Sequence, residues 1–271
     1  ASHVFLSGKN NTLGHISADP KFKCSFSTVF GEGNFVFSKY SFVSGFENKV
    51  ITGRQNVSIG SYNDISNCNT SMIFGSRNIA KDTSANTIIG SFITSHFDSV
   101  GSLLTGREHV EKYGNYNSIH GINHEFTWTD RTFASGSNHT SLYNVNSTII
   151  GKDNSANNMD STIIGGFNHK VDNSNFTSIA GSSNTVSFSN NSYITGKSQN
   201  EVSGEGNAIF GDSNINIGSD NTIISGKLNN INNANQSFIT GLSNQITNAE
   251  YSNINGTNNI ISDIEGMFIG G

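Results

Sequence analysis

The stretch NSTIIG, Asn146–Gly151, returns along the chain as NTIIG at Asn86–Gly90, STIIG at Ser161–Gly165, NSYITG at Asn191–Gly196 and NTIISG at Asn221–Gly226. Each copy ends on a glycine, and those glycines form a series: Gly8, Gly31, Gly45, Gly60, Gly75, Gly90, Gly106, Gly121, Gly136, Gly151, Gly165, Gly181, Gly196, Gly211, Gly226, Gly241, Gly256 and Gly270. Every spacing is 14, 15 or 16 residues except the first, which is 23 and holds the only proline, Pro20. That gap reads as an insertion near residues 14–26. The repeat fills the chain, so residues 1–271 read as a single repeat domain of about 18 coils.

Two residues before the glycine the chain writes Ile, Leu, Val or Phe, and four before it Ser, Thr or Asn. Three residues after it Asn recurs, at Asn11, Asn34, Asn48, Asn63, Asn78, Asn154, Asn168, Asn184, Asn214, Asn229, Asn244 and Asn259. An apolar residue follows two positions later, as at Val36, Val50, Ile65 and Ile231. Alternation with period two inside a period of about 15 predicts two short strands and two turns per coil. That is too short for helical hairpin repeats or propeller blades. The fold class is therefore all-β, a parallel β-roll or solenoid. Equal positions stack from coil to coil, so the recurring Asn predicts an amide ladder. The glycine is expected to supply the positive φ of a tight corner.

The residues one and three before each glycine should point away from the coil interior. Most coils place a large apolar residue there: Phe42, Ile59, Phe74, Leu103, Phe133, Ile150, Tyr193, Phe210, Ile223 and Phe238. The exceptions are the pairs Ser118/His120, Ser178/Ala180 and Asn253/Asn255. A strand apolar on both faces is one buried on both sides. The outward residues of the second strand are mostly polar, such as Lys49, Asp64, Asn230 and Gln245. An apolar stripe of that extent exceeds what a soluble monomer exposes, which predicts self-association along it.

Charged residues make up 13% of the chain and the formal net charge is −5, which offers no footprint for nucleic acid. No run of 18 apolar residues predicts membrane insertion, and no N-terminal stretch reads as a secretion signal. Cys24 and Cys68 each lie seven residues before a coil glycine, three coils apart. At ~4.8 Å per coil their thiols are roughly 14 Å apart, beyond disulfide reach.

With these motifs the chain resembles the YadA-like heads of trimeric autotransporter adhesins, whose NSVAIG-type repeat NSTIIG matches closely. The resemblance covers nearly the whole chain and extends to head repeats of phage tail fibres. It implies a left-handed β-roll, a homotrimer packed through the motif strands, and a place on a cell surface or a virion tail fibre. It implies adhesion to a host or target surface protein or glycan. The N-x-I-x-G half-repeat also resembles that of grass ice-recrystallisation-inhibiting proteins. Ice binding there uses a flat, regular face, whereas here Phe, Met, Tyr and Leu interrupt one face, and Phe35 and Phe37 the other.

Residues 91–139 break the rule. The Asn position is taken by Ile93, His109, His124 and His139, and the same stretch holds Glu108, Glu111, Glu125, Asp130, Arg131 and the only tryptophan, Trp128. Histidine offers a donor and an acceptor, so it can replace Asn in a ladder. Ligands stacked ~4.8 Å apart suit a zinc geometry poorly, so no metal is expected. His109, His124, Glu125, Trp128, Arg131 and His139 remain the candidate ligand-binding residues, since Trp and Arg are frequent interface anchors. The acidic residues permit a tailspike-like glycosidase as an alternative. No nucleophile elbow, P-loop, CxxC or HExxH occurs, so neither a cofactor nor catalysis is expected.

Overall fold

The computed structural model describes residues 3–14, 26–96 and 98–271. It is a parallel β-solenoid, and no helix occurs among the described residues. The chain divides into two compact units, Ala1–Asn138 and His139–Gly271. Each unit holds nine motif strands, hence eight complete turns between them, about 16 in all. In the first unit the motif strands run from Phe5–Lys9 to Phe133–Ser137, and in the second from Thr148–Lys152 to Phe268–Gly270. A second sheet of shorter strands runs beside them, from Thr12–Leu13 to Glu125–Thr127 and from Thr140–Leu142 to Ile260–Glu265.

Register follows the sequence repeat. Gly45 lies opposite Gly60, Gly60 opposite Gly75 and Gly196 opposite Gly211. Gly8 pairs with Gly31, so the long first coil returns to register despite its extra residues. Most of that insertion, with Pro20 and Cys24, lies outside the described residues. Cys68 is free and buried.

Two positions of the glycine series shift. Gly151 pairs with Gly166, and Ile150 with Gly165. A Cβ on Gly256 would meet the carbonyl of Gly271, so the final member is Gly271. A double glycine offers two alignments to a pattern reader; hydrogen-bond register selects one. Consequently His169, not Asn168, occupies the ladder: His169 is buried, and Asn168 stands exposed beside it.

The coil has three sides rather than two. Beyond the second strand, isolated parallel bridges align Asn69 with Ser84 and Asn115 with Asp130, and in the other unit Asn190 with Glu205. Corners fall two, seven and ten residues past the glycine, in the left-handed region. Tyr62, Trp128 and Leu228 adopt φ of 57°, 56° and 58°. Each such residue costs about 1–2 kcal/mol. Stacking of equal corners offsets part of this: Tyr113 lies on Trp128 with centroids 4.1 Å apart, and Arg77 sits over the rings of Tyr62 and Phe92. The motif glycines do have the expected positive φ, 125° at Gly121, but within a strand rather than at a corner, and they also allow close approach of neighbouring coils. A Cβ on Gly121 would lie 1.9 Å from the Gly136 carbonyl oxygen.

The interior alternates apolar and polar columns. Ile73, Ile88, Leu104 and Ile119 fill the first unit, and Ile194, Ile209, Ile224 and Ile239 the second. Beside them the Asn column hydrogen-bonds up and down the stack, although Gln199 Nε2 and His109 Nδ1 at the same position lack partners among the described residues. Asn48 donates through Nδ2 to Asn34 Oδ1 at 3.0 Å and to the Gly60 carbonyl at 2.8 Å, and its own Oδ1 accepts from the backbone N–H of Asn63. Asn229, Asn244 and Asn259 repeat the pattern in the second unit. Buried amides satisfied in this way are why the core tolerates so much polarity.

Candidate functional site

Two surfaces and one interior position carry the chemistry of this chain. The first surface is the outer face of the motif sheet. The alternation that sends Ile149 inward sends Thr148 and Ile150 outward. In the first unit Phe42, Met72, Ile89 and Phe133 are exposed there, with Ile59, Phe74 and Leu103 half-buried. In the second unit Ile150, Ile163, Tyr193, Ile223 and Phe238 are exposed, and Phe210 is half-buried. All ten residues expected on the apolar stripe therefore lie on one outer face, each within its own unit.

The stripe has a polar interruption in the first unit. Thr105 Oγ1 lies 2.6 Å from His120 Nδ1, and His120 Nε2 lies 2.7 Å from Ser118 Oγ. Phe133 borders the imidazole at 5.7 Å between centroids. The order hydroxyl, imidazole, hydroxyl resembles a nucleophile, base and orienter. Thr105 brings no negative charge to stabilise an imidazolium, which is the task of the third member in such sites.

The six candidates from the irregular coils separate. His109, His124 and His139 are buried, with exposures of 0%, 1% and 1%. Glu125, Trp128 and Arg131 stand exposed in three different columns of one coil. Arg131 is paired with Asp130 at 3.1 Å, and Tyr113 covers one face of the indole. The histidines thus belong to the ladder. His109 Nε2 lies 2.8 Å from the Thr105 carbonyl, His124 Nε2 3.0 Å from that of His120, and His169 Nε2 3.0 Å from that of Gly165. A carbonyl only accepts, so each Nε2 carries a proton. Nδ1 then takes the place of the Asn oxygen: it accepts from the Asn154 N–H at His139 and from the Asn184 N–H at His169. Burial lowers the pKa of His109 and His169, which keeps them neutral. His109 and His124 stack with centroids 4.9 Å apart. Among the described residues no group of His, Cys, Asp and Glu is arranged to hold a metal ion.

The interior position escaped the sequence reading. Five residues past the coil glycine, where most coils bury Val, Ile or Ala, two coils bury glutamate: Glu111 and Glu201. Each opens the same pattern, Glu111–Gly114–Asn117 and Glu201–Gly204–Asn207. Asn117 Nδ2 donates to Glu111 Oε1 at 2.9 Å, and Asn207 Nδ2 to Glu201 Oε1 at 2.8 Å. Ser95 donates to Glu111, and Ser192 to Glu201. The glycine makes room, since a Cβ on Gly114 or Gly204 would meet that carboxylate oxygen at 2.6 or 2.9 Å. Burial pushes both carboxyls up, that of Glu201 to about 7. The recurrence of E-x-x-G-x-x-N at an apolar position is the feature that reveals them in the sequence.

No family model matches the chain, and no curated protein matches it.

Proposed function

We propose that this solenoid is the adhesive head of a surface fibre or appendage, assembled as a homotrimer through the motif face. The observation that carries the proposal is the outward apolar stripe, present on the same face of each unit. These side chains are already partly covered by their own coil, so burying the rest of one contributes roughly 1 kcal/mol, and several per unit add up to a drive to associate. Three chains packed through their motif strands bury the stripe and leave the second sheet and the corners free. Those surfaces then meet a host or target surface protein or glycan, with trivalency multiplying a weak contact. The location that fits is a cell surface or a virion tail fibre, where repeat solenoids act as extended presenters of binding faces.

The test is attachment. The chain is applied to immobilised matrix proteins and surface glycans, with and without Trp128→Ala/Arg131→Ala. Saturable binding to at least one class supports the adhesive reading. Absence of binding across both classes contradicts it. Unchanged attachment by the double variant removes Trp128 and Arg131 from the binding face.

A further inference from the structure

The coil from Gly31 to Gly45 is one residue shorter than the coil that follows it. The missing residue falls on the far side of the second sheet. Phe37 pairs with Ile51 and Lys39 with Arg54, so the single Ser38 faces both Thr52 and Gly53, and the register shifts there. Beside the mismatch lies a groove of about 270 Å³ lined by Lys39, Thr52, Gly53, Arg54, Asn67 and Asn69 among others. Its volume suits one sugar ring rather than a drug-sized ligand.

Some cations of the strands face an acid on the adjacent coil: Lys9 with Glu32, Lys49 with Asp64, and Lys227 with Asp212. Lys39 and Arg54 are instead register partners of each other. Neither makes an ion pair with a described residue. Like charges directly opposite on adjacent strands are destabilising, and an anion between them removes that cost. Arginine grips an oxyanion through two N–H groups, and lysine adds a point charge.

Around the cations lie neutral polar groups. Thr52 contacts Asn67, Asn67 donates to Asp82 at 2.9 Å on the next coil, and Asn69 is the register partner of Arg54. Asp82 is the nearby acid, and its bond to Asn67 places it on the far side of that amide from Thr52. We propose that this groove binds the carboxylate or sulfate of an acidic saccharide, with Lys39 and Arg54 on the oxyanion and Thr52, Asn67 and Asn69 beside the ring hydroxyls. The oxyanion site stands on its own geometry. That a saccharide carries the anion rests on the adhesive reading.

Titration calorimetry on the full chain tests it, with a sulfated heparin oligosaccharide and sialyllactose as probes. Neutral lactose and inorganic sulfate serve as controls. At least one acidic saccharide binds, more tightly than sulfate, and lactose does not. Lys39→Gln/Arg54→Gln weakens that binding about tenfold or more, as loss of charged hydrogen bonds does. Asn69→Glu, which sets an acid beside Arg54, weakens it too and guards against a folding defect in the double variant. Binding as tight as wild type in both variants overturns the proposal, as does an affinity for saccharides no greater than for sulfate. Attachment lost in the double variant supports the groove as the receptor site. Attachment that persists there overturns that role and leaves the adhesive reading standing.

Discussion

At the scale of single residues this fold rests on two requirements, a side chain that can hydrogen-bond up and down the stack and a glycine where coils nearly touch. Asn63 shows the first. Its amide bonds to Asn48 Oδ1 and the Gly75 carbonyl, and its Oδ1 accepts from Asn78. Asn63→Ala strands these groups in the core and should cost about 2–4 kcal/mol by urea unfolding. A loss under about 0.5 kcal/mol, the range of an ordinary surface change, would contradict the ladder. Gly121 shows the second. Gly121→Ala should cost more than the ladder change, because the added carbon meets backbone that cannot move aside. Asn123→Gly, at a corner with φ 57°, relieves strain and should cost little. These contrasts were partly legible in the sequence. The inward and outward columns follow from period two alone. Which of two adjacent glycines is the ladder member does not, because local pattern fits Gly165 and Gly166 equally and only inter-coil register chooses. The non-glycine corners were hidden for a related reason: Tyr, Phe and Leu carry no turn signature of their own and are held left-handed by the stack.

At the scale of the coil, buried titratable groups couple stability to pH in opposite directions. The Glu201 carboxyl is raised by burial from 4.5 to about 7. The folded coil holds that proton more tightly than the unfolded chain, so its contribution is full below 4.5 and is lost as pH rises through about 7. Glu201→Gln should abolish that loss, worth at most about 3 kcal/mol at pH 8. His169 runs the other way. Its pKa is lowered from 6.5 by burial, so its contribution is present above that value and lost as pH falls below it. Protonating Nδ1 would also set two donors face to face at the Asn184 N–H. His169→Asn, which restores the ladder amide, should flatten the acid limb. Urea denaturation at a series of pH values checks both, and wild-type slopes in both variants would contradict the assignment. The sequence announced the ladder histidines by their 15-residue spacing. Their place in the ladder followed from that spacing, whereas the position of the proton needed the Nε2–carbonyl bonds. The glutamates stayed hidden because a charged residue in a strand is ordinarily a solvated one.

At the scale of the whole molecule the account turns on the motif face. Its strands fill the coil interior through Ile149 and its equivalents, and expose Phe133 in the first unit and Ile150, Tyr193 and Phe238 in the second, which the proposed assembly would cover. The solenoid and its period are direct consequences of the repeat. Assembly is legible only as a surplus of outward apolar residues, because a pattern along one chain records that a face needs covering and not the number of copies that cover it. Phe238→Glu/Ile223→Glu places charge on that face and should weaken association while leaving the coil intact, read as a lower mass with unchanged circular dichroism. The most direct measurement is sedimentation equilibrium of the unmodified chain at micromolar concentration. The account predicts a single species at three times the chain mass of 29.0 kDa. A monodisperse monomer would contradict it.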